Sequence, residues 1–157
     1  MKRLKQIDII YSLIGFAYLI LFFIIKDDPF YGDSKSTISR LSVLIFESNF
    51  NTCIYPKGMD PGHPSTFPLI HAGLWKLFGK HLWISHALQL LTTFGVFAGI
   101  YKLEKSFETK GWIALLTAAN PIFIAMFASL NTHMALLLFL VWYLTQIGKN
   151  KWFLKSL

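Results

Sequence analysis

The chain has 157 residues, 54% of them hydrophobic and only 15% charged, with a net charge of +7 and a mean hydropathy of +0.49. A soluble domain carries about 25% charged residues; here the apolar residues come in runs, so the class is membrane protein. The lone cysteine, Cys53, excludes an internal disulfide framework.

The first apolar run, Ile9 to Ile25, follows a basic start. A hydrocarbon core about 30 Å thick takes roughly 17–25 helical residues, so the run predicts a first span over 9–25. Lys26-Asp27-Asp28 follows it instead of a small-residue cleavage site, which makes it a retained span and not a signal peptide.

Residues 26–81 form the next unit, and a loop that long carries function or folds locally. Within 36–47, Ile38, Leu41, Leu44 and Ile45 recur at helical spacing, with Ser34 or Ser36 placed to cap the start. A polar hinge, Asp60-Pro61-Gly62-His63-Pro64, separates this helix from a second over 65–78. There Pro64 or Pro68 sits near the first turn and Gly79 near the end. The second helix is too short to span, so it is expected to lie at the interface, with Trp75 and Lys76 at headgroup level.

Three more runs follow: 82–101, 112–127 and 133–147. Gly95 and Gly99 form a small-xxx-small pair, as do Ala114 and Ala118, which favours close helix approach within the chain. Pro121 is expected to kink or end the third run. Residues 128–132 read as a tight turn between two spans, the alternative being one long broken helix. The expected fold is all-α and polytopic, a single membrane domain of about four transmembrane helices plus two interfacial helices in the first outer loop.

Charge orients it. Residues 1–8, 102–110 and 149–157 carry nine cations against three acids, a net +6, whereas 26–81 carry six against five, a net +1. Basic residues near span ends stay inside, so the +6 side is cytoplasmic and holds both termini. The basic excess reads as topology and not as a nucleic-acid footprint. The expected location is the cytoplasmic (inner) membrane, multi-pass, with the N-terminus cytoplasmic.

Several side chains could carry chemistry. Asp33, just past the first span, can serve as general base or bind a divalent cation, or be a solvated loop acid. Asp60 and His63 lie three apart in the stiff hinge; they are too few to hold a metal alone, and Asp60 can instead bond nearby backbone amides. His71, His81 and His86 on or beyond the next helix read as interfacial. Asn120-Pro121 and Asn131-Thr132-His133 place polar groups at span ends, where they face protein or water. No nucleotide loop or serine-histidine-acid order is present. The spans lack the paired ionisable residues of an ion-coupled transporter.

The order of features goes further. A first span, an outer-loop acid and an amphipathic helix lead to His63-Pro64-Ser65-Thr66-Phe67 and then Leu74-Trp75-Lys76-Leu77-Phe78-Gly79. A span opening Leu82-Trp83-Ile84-Ser85-His86 and another reaching Asn120-Pro121 follow. This resembles the N-terminal part of the GT-C superfamily of integral-membrane glycosyltransferases, in the branch of protein mannosyltransferases and lipid A aminoarabinose transferases. Members carry H-P-P-L-(Y/F) and W-x-K-L-F-G stretches at this spacing; here the second proline and the leucine of the first are changed.

The resemblance implies transfer of a sugar from a polyprenyl-phosphate-linked donor to an acceptor on the non-cytoplasmic side. It implies Asp33 as the catalytic acid of the first outer loop, with His63, Asp60 and Arg40 binding substrate. No cofactor is implied beyond a divalent metal at such a site. Family enzymes have many more spans, so the resemblance implies a truncated transferase, inactive as this fragment. The alternative is a small non-catalytic membrane protein that packs against a larger partner through its glycine-bearing face.

Overall fold

The computed structural model describes residues 2–30, 38–54 and 65–149, which are helical with no strand among them. The elements are α1 (Lys2–Ile25), α2 (Arg40–Glu47), α3 (Thr66–Phe78), α4 (Leu82–Phe107), α5 (Trp112–Ala119), α6 (Pro121–Ala128) and α7 (Thr132–Lys149). Their ends fall close to the expected ones. α1 begins seven residues before the predicted 9–25 span, and α4 continues six residues past Tyr101.

Two helical segments, Gln6–Ile25 and Leu82–Phe107, are long and apolar enough to cross a membrane, or three if α6 and α7 count as one bent span. α1 is apolar on nearly all sides. Ile7, Ile14 and Tyr18 are buried, while Leu13 and Phe16 are each 63% exposed. An outward row of large apolar side chains on a long helix is the pattern of a surface that meets lipid.

α4 is the central post, touched by α1, α3, α5, α6 and α7. α7 runs parallel to it, closely enough that a Cβ on Gly95 would sit 2.7 Å from Leu138 Cδ1 and one on Gly99 2.5 Å from Val141 Cγ1. Trp142 Nε1 donates to the Gly95 carbonyl at 3.0 Å. The small-residue pair is thus used inside the chain, and α7 covers the face an adaptor would offer a partner.

The third run is two helices, not one. Asn120 turns to an extended conformation, and its Oδ1 accepts from Ile122 N (2.8 Å) and Phe123 N (3.4 Å). Pro121 takes the first helical position, where its missing N–H costs nothing. Each eight-residue piece is about 12 Å long, too short to cross alone. Together they run antiparallel to α4, from the level of Glu104 to that of Gln89, where the Gln89 amide donates to Met126 O at 2.7 Å. The chain then reverses through residues 129–131, with α6 and α7 inclined at 118°. Asn131 Oδ1 accepts from His133 N at 2.8 Å at the start of α7. A three-residue break thus separates two sharply inclined helices.

Aromatic packing fills the centre. Tyr18 meets Phe97, Phe123 and Phe127 at centroid distances of 5.5, 6.0 and 4.9 Å, and its hydroxyl donates to Ala118 O at 3.1 Å.

One end of the bundle gathers the N-terminal turns of α1, the end of α4 and the start of α5. Glu104, one of the three acids counted on the inner side, is fully buried there. Its carboxylate accepts from Tyr11 Oη (2.7 Å), Ile113 N (2.7 Å) and Ala114 N (3.4 Å). It caps α5, where a negative charge meets the free N–H groups and positive end of the helix. Gly111, at φ +92, makes the tight entry into α5.

The opposite end carries α2 and α3, which pack on each other, with α3 also against α4. α2 begins at Arg40; its expected caps Ser34 and Ser36 lie outside the described residues. Gly79, at φ +93, ends α3 as expected. Trp75 is 6% exposed and packs on Phe46 and His71. The outward residues of α3 are Ile70 (49%), Leu77 (75%) and Phe78 (60%).

Candidate functional site

Asp33, Asp60 and His63 lie outside the described residues. Arg40 is the exposed first residue of α2. The described residues that flank the missing acids do come together. Phe30 and Ile38, on either side of the segment with Asp33, are buried in one apolar cluster with Phe67 and Leu130. Phe67 lies four residues after His63. The described residues Phe30, Ile38 and Phe67 thus meet beside Leu88 in the N-terminal part of α4.

Next to that spot is a groove of about 360 Å³ between α3 and α7, lined by Thr66, Phe67, Ile70, Thr132, Ala135, Leu136 and Phe139. Phe67 and Ala135 belong to both the groove and the cluster. Thr66 and Thr132 are the first residues of their helices, so the hydroxyls mark one end. Leu136 and Phe139, 55% and 71% exposed, leave the side open along α7. A narrow apolar slot with a polar end and an open flank suits a hydrocarbon chain with a polar head.

α2, α3 and α4 are held together behind the groove by a buried hydrogen-bond relay. His71 on α3 lies between Ser42 of α2, whose Oγ is 3.0 Å from Nδ1, and Ser85 of α4, whose Oγ bonds Nε2. The Ser42 hydroxyl donates to Ile38 O at 2.8 Å, so its oxygen accepts from His71 Nδ1–H. His71 Nε2 must then accept from Ser85. All three side chains are fully buried, and burial holds the His71 pKa down to about 3. A neutral imidazole with both nitrogens used, closed to solvent and with no acid beside it among the described residues, is a structural clasp and not a nucleophile's base.

His86 is buried as well. Its Nε2 donates to Asp28 O at 3.0 Å, and its ring stacks on Phe30 at 4.5 Å. The interfacial reading of His71 and His86 is therefore replaced by a buried one; His81, at the N-cap of α4, is exposed. Sequence reasoning missed Gln89, which is fully buried. The signal was there: Ser85, Gln89 and Thr93 recur every four residues along an apolar span, marking a polar stripe that must face protein.

Among the described residues no three His, Cys, Asp or Glu side chains are grouped to hold a metal ion. Comparison with protein-family models, with curated proteins and with solved structures returned no match.

Proposed function

We propose that the chain is the N-terminal part of an integral-membrane glycosyltransferase that takes a sugar from a polyprenyl-phosphate-linked donor on the non-cytoplasmic side. The observation that carries the reading is the meeting of Phe30, Ile38 and Phe67 in one cluster that borders the apolar groove. In sequence, Phe30 and Ile38 bracket Asp33, and Phe67 lies four residues after His63.

In this reading 9–25, 82–101, 112–127 and 133–147 cross the bilayer, α5 and α6 making one crossing between them. α2 and α3 cover the outer end. The isoprenoid chain lies in the α3–α7 groove, with its phosphate toward Thr66, Thr132 and His63. Asp33 takes the proton of the acceptor hydroxyl as the sugar–phosphate bond breaks, and His63 and Arg40 offset the charge gathering on the leaving phosphate. Asp60 holds the hinge or a substrate hydroxyl. The adaptor reading loses ground because α7 occupies the Gly95–Gly99 face.

Native mass spectrometry of the purified chain with a polyprenyl-phosphate-linked sugar tests the proposal. We expect selective retention of the lipid over bulk phospholipid, with about a tenfold loss in Leu136→Trp, which fills the groove (on the order of 1.4 kcal/mol). Retention no better than that of bulk phospholipid overturns it.

A further inference from the structure

Among the described residues, two buried acceptor atoms on α4 have no hydrogen-bond donor: His86 Nδ1 and Gln89 Oε1. Their side chains are 2% and 0% exposed. The other polar atom of each is already committed. His86 Nε2–H donates to Asp28 O at 3.0 Å, which fixes the tautomer and leaves Nδ1 with a lone pair. Gln89 Nε2 donates to Met126 O at 2.7 Å, which fixes the amide and leaves Oε1 as the free acceptor.

The residues are three apart, on one face of α4, where side chains stand about 5–6 Å apart at Cβ. Neighbouring hydroxyls supply no donor. Thr92 Oγ1 donates to Leu88 O and Thr93 Oγ1 to Gln89 O, each at 2.8 Å. Ser85, one residue before His86, is turned to His71. An unmatched acceptor in an apolar interior costs about 1–3 kcal/mol, and two together mark a place built for a ligand that only donates.

We infer that His86 and Gln89 bind one internal water molecule, which donates one hydrogen to His86 Nδ1 and the other to Gln89 Oε1. A small two-hydrogen donor fits two lone pairs one helical turn apart, and internal waters serve such groups. The water links α4 to the end of α1 through Asp28 and to α6 through Met126, beside the Phe30 ring that stacks on His86. It makes the base of the outer loop a hydrated polar node inside an apolar bundle. The inference is independent of the proposed enzymatic activity.

Solid-state NMR of the full chain in lipid bilayers, with ¹⁵N-labelled histidine, tests it. The His86 signals are assigned by their loss in His86→Gln. The expected result at pH 7 is a neutral ring protonated at Nε2, with magnetisation passing from water protons to Nδ1. In the near-isosteric Gln89→Met, which removes one anchor, that transfer falls several-fold while the tautomer stays. A proton on Nδ1 would show that His86 donates straight to Gln89 and would overturn the inference, as would an unprotonated Nδ1 that receives nothing from water. Equal transfer in the wild-type chain and Gln89→Met would also overturn it.

Discussion

His71 is buried between two serines, with no charged partner among the described residues, so its protonation state and the docking of the outer helices are linked. Its pKa when docked is about 3, against an ordinary 6.5. Between those values the undocked state binds more protons, so docking weakens as pH falls below about 6.5, by up to about 1.4 kcal/mol per pH unit. Above 6.5 this contribution is fully present; near 3 the loss levels off. Hydrogen exchange, corrected for intrinsic rates, should show α3 amides losing protection relative to α1 as pH is lowered from 6.5 to 4, and His71→Asn should flatten that dependence. Protection of α3 that does not change over this range contradicts the clasp. Glu104 makes a second prediction at this scale. Glu104→Ala strands the Tyr11 hydroxyl and the amides of Ile113 and Ala114, and should cost about 3 kcal/mol of unfolding free energy. Tyr11→Phe should cost about 1–2 kcal/mol, less because the two amides remain bonded. Neither role was legible in the sequence. A glutamate two residues after Lys102 looks like part of a wet turn, and only the return of α5 onto the end of α4 buries it. His71 needed Ser42 and Ser85, 29 and 14 residues away, to become something other than an interfacial histidine.

Among the elements, the helix ends were legible and the helix environments less so. Gly79 stops α3 and Pro121 starts α6 because backbone chemistry alone decides those positions. Pro121 also forecast the break in the third run, and Asn120 completes it as a cap. The burial of Trp75 was not legible, because its neighbour Phe46 lies 29 residues earlier on a helix that the local pattern cannot dock. The Gly95–Gly99 seam gave the right contact, and it supports a prediction. Gly95→Ala and Gly99→Ala push a methyl group to within 2.7 Å of Leu138 and 2.5 Å of Val141. Each should lower stability by about 1–3 kcal/mol, with Gly99→Ala the worse because the branched Val141 has fewer rotamers to yield. Thermal melts in detergent measure this. Unchanged melting in both variants would mean that α7 does not pack at that distance.

For the whole molecule, hydropathy and charge indicated an all-helical chain of membrane-length segments. Placement of the candidate site rests on chain order: Phe30 and Ile38 bracket Asp33 in the sequence, and Thr66 and Phe67 follow His63. Topology is testable directly. The partly exposed Cys53 should react with an impermeant thiol reagent from the non-cytoplasmic side. Ser106→Cys in a Cys53→Ser background should react from the cytoplasmic side only, at the end of α4 that Glu104 closes. The central claim is that the α3–α7 groove holds the isoprenoid chain of a lipid-linked sugar. The most direct test is photo-crosslinking in bilayers with a diazirine-bearing polyprenyl phosphate, mapping the adducts by mass spectrometry. The account predicts adducts concentrated at Ile70, Leu136 and Phe139 and displaced by unlabelled polyprenyl phosphate. Adducts spread equally over the outward residues of α1, such as Leu13 and Phe16, with no displacement, would contradict it.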